Sequence, residues 1–133
     1  MSGETDLKAL LQSLAPVMLD EPYVFCTAAN ASYGDYAEVQ PIASFQEKEG
    51  LTLVLTQASA DAAGLSYEGV FRCISLQVHS SLESVGLTAV IAGKLAAYEI
   101  SANIIAGYYH DHVFVPQADA AEALALLTRL KNL

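Results

Sequence analysis

Positive charge is scarce in this chain of 133 residues. Lys8, Lys48, Arg72, Lys94, Arg129 and Lys131 stand against 15 acidic residues, leaving a formal net charge of −9. The six are scattered, so no basic stripe exists to displace counterions from phosphate, and nucleic-acid binding is set aside. The same shortage argues against docking on anionic lipid. Long apolar runs are missing too: none reaches the length a bilayer-crossing helix needs. The first six residues, MSGETD, are acidic and lack the basic start and apolar stretch of a secretory signal, so a cytoplasmic location is expected. Cysteine is limited to Cys26 and Cys73, which match neither a CxxC nor a zinc-site spacing. Two buried thiols in a reducing compartment are expected rather than a disulfide.

What is present is apolar. Hydrophobic residues make up 53% of the chain and charged ones 16%, a balance that excludes disorder driven by charge. The length suffices for one domain or two very small ones. A small domain cannot hide all of that apolar surface within itself, so a homodimer is expected.

Leu7, Leu10, Leu11 and Leu14 share one helical face, with Thr5 or Asp6 able to cap its start and Pro16 ending it. Residues 23–27 (YVFCT) read as a strand, followed by a polar connection over 28–39. Residues 42–47 and 51–56 form two more strands, joined through Gly50 as a hairpin. Residues 59–65 are rich in small side chains and predict a short helix ending at Gly64. The run 70–79 alternates with both faces largely apolar, which predicts a central strand.

The second half is more legible. A polar elbow over 80–86 leads into a helix with Leu87, Val90, Ile91, Leu95 and Tyr98 at helical spacing. A strand over 102–108, a turn near His110-Asp111, and a strand over 112–116 follow. The final helix carries Ala121, Leu124, Leu127 and Leu130 on one face. Residues 70–133 thus read β-α-β-β-α, a ferredoxin-like split βαβ lacking its fourth strand. Residues 1–69 form a related unit placed before it.

The stretch Gly86-Leu87-Thr88-Ala89-Val90-Ile91-Ala92, then Leu95-Ala96, Ile100 and Ala102-Asn103-Ile104-Ile105, resembles the ACT domain family, in particular tandem ACT proteins and aspartokinase regulatory domains. Residues 108–116 (YYHDHVFVP) and 121–127 (AEALALL) extend the likeness, which covers 70–130 well and 1–69 loosely. The resemblance implies an α+β protein of two ferredoxin-like ACT units in tandem, 1–69 and 70–133, with antiparallel sheets and helices on one face. A strand of the first unit, residues 23–27, is the candidate for the missing slot of the second, which would intertwine the two.

The resemblance also implies a non-enzymatic regulatory or sensor protein, binding an amino acid at the elbow between strand and helix, without a cofactor. Carried over, the ligand contacts are Ser81, Ser84, Gly86 and Leu87 on the elbow, faced by Ala102 and Asn103. Independently of the family, an elbow glycine lets backbone N–H groups at a helix start approach a carboxylate, where the helix dipole favours negative charge. Family members often carry an acid where Asn103 stands, to hold the ligand's amine. Asparagine offers a carbonyl acceptor without charge.

Plainer readings stand beside these. Ser80, Ser81 and Ser84 serve equally well as helix caps, Gly86 as a packing glycine, and Asn103 as a strand-edge hydrogen bonder. The alternative function is a dimerisation or interaction module with no working ligand site. His110-Asp111-His112 invites a metal, but the histidines straddle a turn and His79 is expected about 15 Å from His112, so no metal is expected. Tyr108 and Tyr109 read as core and interface aromatics. Arg72 sits mid-strand rather than in a loop that cradles phosphate, and no P-loop, Rossmann or nucleophile-elbow motif occurs. Enzymatic activity is not expected.

Overall fold

The computed structural model describes residues 6–78 and 81–132. Thr5, His79 and Ser80, each singled out above, lie outside them. The described chain forms two units. One groups the chain up to Asp20 with the chain from Arg72 onward; the other is Glu21–Phe71. Each has its own apolar core.

In the discontinuous unit, helix α1 (Leu7–Gln12) starts at Asp6, whose carboxylate accepts from Lys8 N–H. The chain then enters β1 (Pro16–Ala28), of which residues 16–20 belong to this unit. After Phe71 it returns as β4 (Phe71–Leu76), passes the elbow into α3 (Leu87–Ala97), forms the hairpin β5 (Asn103–Ala106) and β6 (Asp111–Pro116), and ends in α4 (Ala120–Thr128). The strands lie in the order β1-β4-β6-β5, which makes β4 central as its two apolar faces require. Gln77 N–H donates to Ala15 O at 2.9 Å beyond one end of the β1–β4 pair. Toward the other end the Arg72 guanidinium donates to Leu19 O at 2.7 Å, so the two strands run in opposite directions.

The missing strand is not residues 23–27, as expected, but the stretch just before them, for which no strand was predicted. Residues 23–27 are committed to the strand Gly50–Thr56, with Tyr23 opposite Thr56 and Thr27 opposite Thr52. Residues 16–20 fill the slot beside β4. Pro16, expected to end the first helix, instead opens a strand of 13 residues that runs on through Asp20-Glu21-Pro22. Pro22, lacking an N–H, stands next to the point where the strand passes from one unit to the other.

The core of this unit joins Leu10 and Leu14 of the N-terminal segment with Ile74 and Leu76 of β4, Ile91 and Leu95 of α3, Val113 and Val115 of β6, and Leu126, Leu127 and Leu130 near the C-terminus. In α4 the buried face is Ala120, Ala123, Leu126 and Leu127; Ala121, assigned inward by spacing, is exposed. Tyr108 and Tyr109 are not core residues either. They are 59% and 62% exposed at the β5–β6 turn, packed edge to face at 5.1 Å.

The other unit is built from the second half of β1, the strands β2 (Ala43–Glu47) and β3 (Gly50–Thr56), and helix α2 (Gln57–Ala63), with strand order β2-β3-β1. Val24, Cys26, Leu51, Leu53, Leu55 and Ala60 form its core. Gly50 is required at the hairpin. Its φ is +152°, and a Cβ there would lie 2.7 Å from Ala28 O.

Both α2 and α3 end in the same motif. Leu65 N–H returns to Ala60 O and Gly64 N–H to Asp61 O; Ile100 N–H returns to Leu95 O and Glu99 N–H to Ala96 O. The motif needs a left-handed residue, which is Gly64 at φ +70° in one helix and Glu99 at φ +61° in the other. Glu99→Gly is expected to stabilise the protein by about 1 kcal/mol, because a left-handed backbone costs a side-chain-bearing residue about that much. A midpoint unchanged or lowered in thermal unfolding would show that the loss of unfolded-state restriction outweighs the relief.

Both cysteines are buried and unlinked. Burial raises both thiols, Cys73 to about 11, which leaves little thiolate for reaction. Among the described residues no helix is long and apolar enough to cross a membrane.

Candidate functional site

The elbow between β4 and α3 borders a cavity of about 130 Å³ lined by Ser81, Leu82, Ser84, Gly86, Leu87, Thr88, Ala106 and Asp111. All of these belong to the discontinuous unit. Gly86 is the residue that starts the helix. Its φ of +100° is a left-handed conformation that side chains rarely adopt, and an added Cβ would meet Leu7 Cδ2 at 3.1 Å. Gly86 O accepts the first helical bond, from Val90 N–H at 2.9 Å.

The N-cap of α3, Gly86, makes no side-chain hydrogen bond to the first turn of the helix. Ser81 turns its hydroxyl to Glu83 N–H at 3.1 Å, within the elbow, and Ser84 N–H donates to Ser81 O at 3.0 Å. The serines thus shape the loop instead of satisfying the helix. The first-turn N–H groups of Leu87, Thr88 and Ala89 are left at the positive end of the helix dipole, beside the cavity.

The rest of the lining comes from the turn end of the β5–β6 hairpin. Ala106 and Asp111 are cross-strand partners, and both line the cavity. Burial raises the Asp111 carboxyl above its ordinary value, and the charge of His112 partly opposes that. His112 is lowered, first by burial and then by His110, with Asp111 acting the other way. For Asp111 the sign follows directly. A folded-state value above the unfolded one means the native state binds the proton more tightly, so this group's contribution to stability is lost as pH rises through the raised value. A cation seated beside Asp111 would offset that loss.

Of the six residues marked in the sequence, the structure brings Ser81, Ser84, Gly86 and Leu87 to one cavity. Ala102 and Asn103 are not among its lining residues. Ala102 packs on the core, and Asn103 opens β5 opposite Phe114 with its side chain exposed. The lining residues that sequence reasoning passed over are Leu82, Thr88, Ala106 and Asp111. Asp111 carries a visible signal in sequence, an acid between two histidines, but that pattern points to a metal and not to this cavity. Among the described residues no cluster of three metal-ligating side chains forms. Arg72 donates to a backbone carbonyl from within the sheet, not into a phosphate cradle.

Leu82 and Val85 on the elbow are 67% and 82% exposed. With Tyr98, Tyr108 and Tyr109 they give this unit several large apolar side chains in solvent. Lys94 lies over the Tyr98 ring at 5.6 Å, which holds one of them in place.

A family model described as an ACT domain matches residues 2–72, and a second ACT domain model matches residues 68–129. A solved structure from Vibrio cholerae, described as a protein of unknown function and possible transport protein, is 50% identical. It aligns over 94% of this chain and 95% of its own, with a TM-score of 0.85. A protein from Agrobacterium tumefaciens aligns at 14% identity over 89% of both chains, TM-score 0.73. The ligand-free regulatory subunit of aspartate kinase from Thermus thermophilus aligns at 10% identity over 89% of this chain and 98% of that one, TM-score 0.60. The last two likenesses speak to fold alone. No functionally curated protein matches the chain.

Proposed function

Because this chain belongs to the ACT domain family, with two such domains in tandem, we propose that it is a non-catalytic regulatory protein that binds an amino acid at the elbow of α3. The observation that carries the reading is that the start of α3, with Gly86 as its N-cap, and Asp111 line one cavity. The helix N–H groups suit a ligand carboxylate, and Asp111 suits its ammonium group by a charge-assisted hydrogen bond. Asp111 thus takes the role that the family often gives to an acid at the position of Asn103. The reading carries the elbow residues Ser81, Ser84, Gly86 and Leu87 forward, and adds Asp111 in place of the facing pair Ala102 and Asn103. The family domains are proposed to divide at 1–69 and 70–133, while the chain packs as Glu21–Phe71 and the remainder; a homodimer is proposed as the assembly, and the cytoplasm as the location. Exposed Leu82, Val85, Tyr98, Tyr108 and Tyr109 favour the assembly.

Asp111→Asn tests the site. The substitution keeps the shape and removes the charge, so affinity for an amino acid should fall about tenfold or more, while its deaminated analogue should bind both forms alike. Calorimetric titration of the pair of ligands into the pair of proteins reads this directly. Equal weakening for both ligands would count against Asp111 as the amine partner.

The pH dependence has a sign. As pH falls through the raised value of Asp111, the neutral carboxyl stops attracting the ammonium, so amino-acid affinity should fall with it. In Asp111→Asn the same acid range should be flat. A wild-type affinity that rises on acidification would contradict the assignment.

A further inference from the structure

The unit Glu21–Phe71 contains a cavity that the elbow reading does not use. It is a trough of about 620 Å³ lined by Phe25, Cys26, Thr27, Glu47, Thr52, Ser66, Tyr67 and Glu68. That size falls in the range of small-molecule sites, about 300–1,000 Å³. Two of its walls are aromatic and both rings are held. Phe25 packs edge to face on Phe71 at 5.4 Å. The Tyr67 hydroxyl donates to Asp61 Oδ1 at 2.8 Å and accepts from Gln57 Nε2 at 3.1 Å. The phenol oxygen is thus engaged by α2, and the ring remains as trough wall.

The polar lining is of one kind. Glu47 and Glu68 are carboxylates, and Thr27, Thr52 and Ser66 are hydroxyls; among the described residues no cation lines the trough. Glu47 is steadied by the Thr52 hydroxyl, which donates to it. The whole of residues 21–71 holds seven carboxylates and a single lysine, Lys48. Glu47 and Glu68 are both exposed, and as charged carboxylates they repel an anion and give a neutral ligand no charge to pair with. A π-face beside a carboxylate is what an alkylammonium group requires, the ring attracting the cation and the acid neutralising it.

We propose that this trough binds a small organic ammonium compound, its cationic end held by Glu47 and Glu68 and set against the rings of Phe25 and Tyr67. The site is separate from the elbow cavity: the two share no residue.

The test is calorimetric titration of the full chain with 1,5-diaminopentane and with 1,5-pentanediol, a neutral compound of matching length, at physiological salt. The diamine should bind saturably, and the diol should give no saturable heat. Glu47→Gln and Glu68→Gln should each weaken the diamine several-fold, and the double variant about tenfold or more. Tyr67→Phe keeps the ring and should bind nearly as the wild type, whereas Tyr67→Leu should lose affinity at unchanged circular dichroism. Asp111→Asn should leave diamine binding unchanged, which separates this site from the elbow. Equal binding of diol and diamine, retention of affinity in Glu47→Gln/Glu68→Gln, or disappearance of the heat at physiological salt would each overturn the proposal.

Discussion

Gly86→Val should abolish ligand-induced stabilisation. Wild-type protein with an amino acid at about 100 times its dissociation constant gains roughly 2.7 kcal/mol, and the variant should gain nothing. Two features make the substitution severe. The φ of +100° is closed to a β-branched residue, at a cost of about 1–3 kcal/mol, and the new Cβ presses on Leu7 Cδ2. The helix start must turn or shift, which moves the N–H groups of Leu87 and Thr88 away from the cavity. Thermal unfolding with and without ligand separates the two effects, because strain lowers the midpoint of the free protein while loss of the site removes the increment. An increment that survives in Gly86→Val would place the ligand elsewhere.

Leu10→Ala should destabilise the protein by about 2–5 kcal/mol, the range for emptying a well-packed leucine site. Leu10 is fully buried, and the core it belongs to draws on β4, α3, β6 and the C-terminal helices as well as on Leu14 and Met18. The effect should therefore be regional. In native-state hydrogen exchange, amides of α3, β6 and α4 should lose more protection than those of β2 and β3. A loss concentrated in β2 and β3 would contradict the grouping of the N-terminal segment with the chain beyond Arg72.

That grouping marks where the sequence stopped being legible. The elements were readable because their signals are local: Asp6 and Gly64 at helix ends, Gly50 at a hairpin, the leucine spacing of α1, the two apolar faces of β4. The need for a borrowed strand was readable too, since β-α-β-β-α leaves one edge of its sheet unfilled. Which residues fill it was not, because the choice is made by pairing between distant segments. Proline and acidic residues at 16–22 argue locally for a break, and tertiary pairing overrides them. Amphipathic spacing also cannot tell an interior face from one displaced by a single residue, which is how Ala121 was assigned inward while Ala120 and Ala123 are the buried pair.

The candidate site divides along the same line. Ser81, Ser84, Gly86 and Leu87 are contiguous, and the glycine ahead of an apolar helix announces them. The facing wall comes from a different hairpin, whose register sets Ala106 against Asp111. A sequence alone gives the strand but not which of its residues reaches the cavity, so Ala102 and Asn103 were marked and Ala106 and Asp111 were not. The trough of the other unit was illegible for a similar reason. Phe25, Glu47 and Tyr67 lie far apart in the chain, and only the β1–β3–β2 pairing and the turn after α2 assemble them.

The most direct measurement is a thermal-shift screen of the purified protein against the twenty amino acids and their deaminated counterparts. A selective rise of several degrees with one amino acid or a chemically related group, smaller for the counterpart lacking the amine and absent in Gly86→Val, is the predicted result. A flat response across the whole set, from protein that is folded and dimeric, would contradict amino-acid binding at the elbow and favour an interaction module.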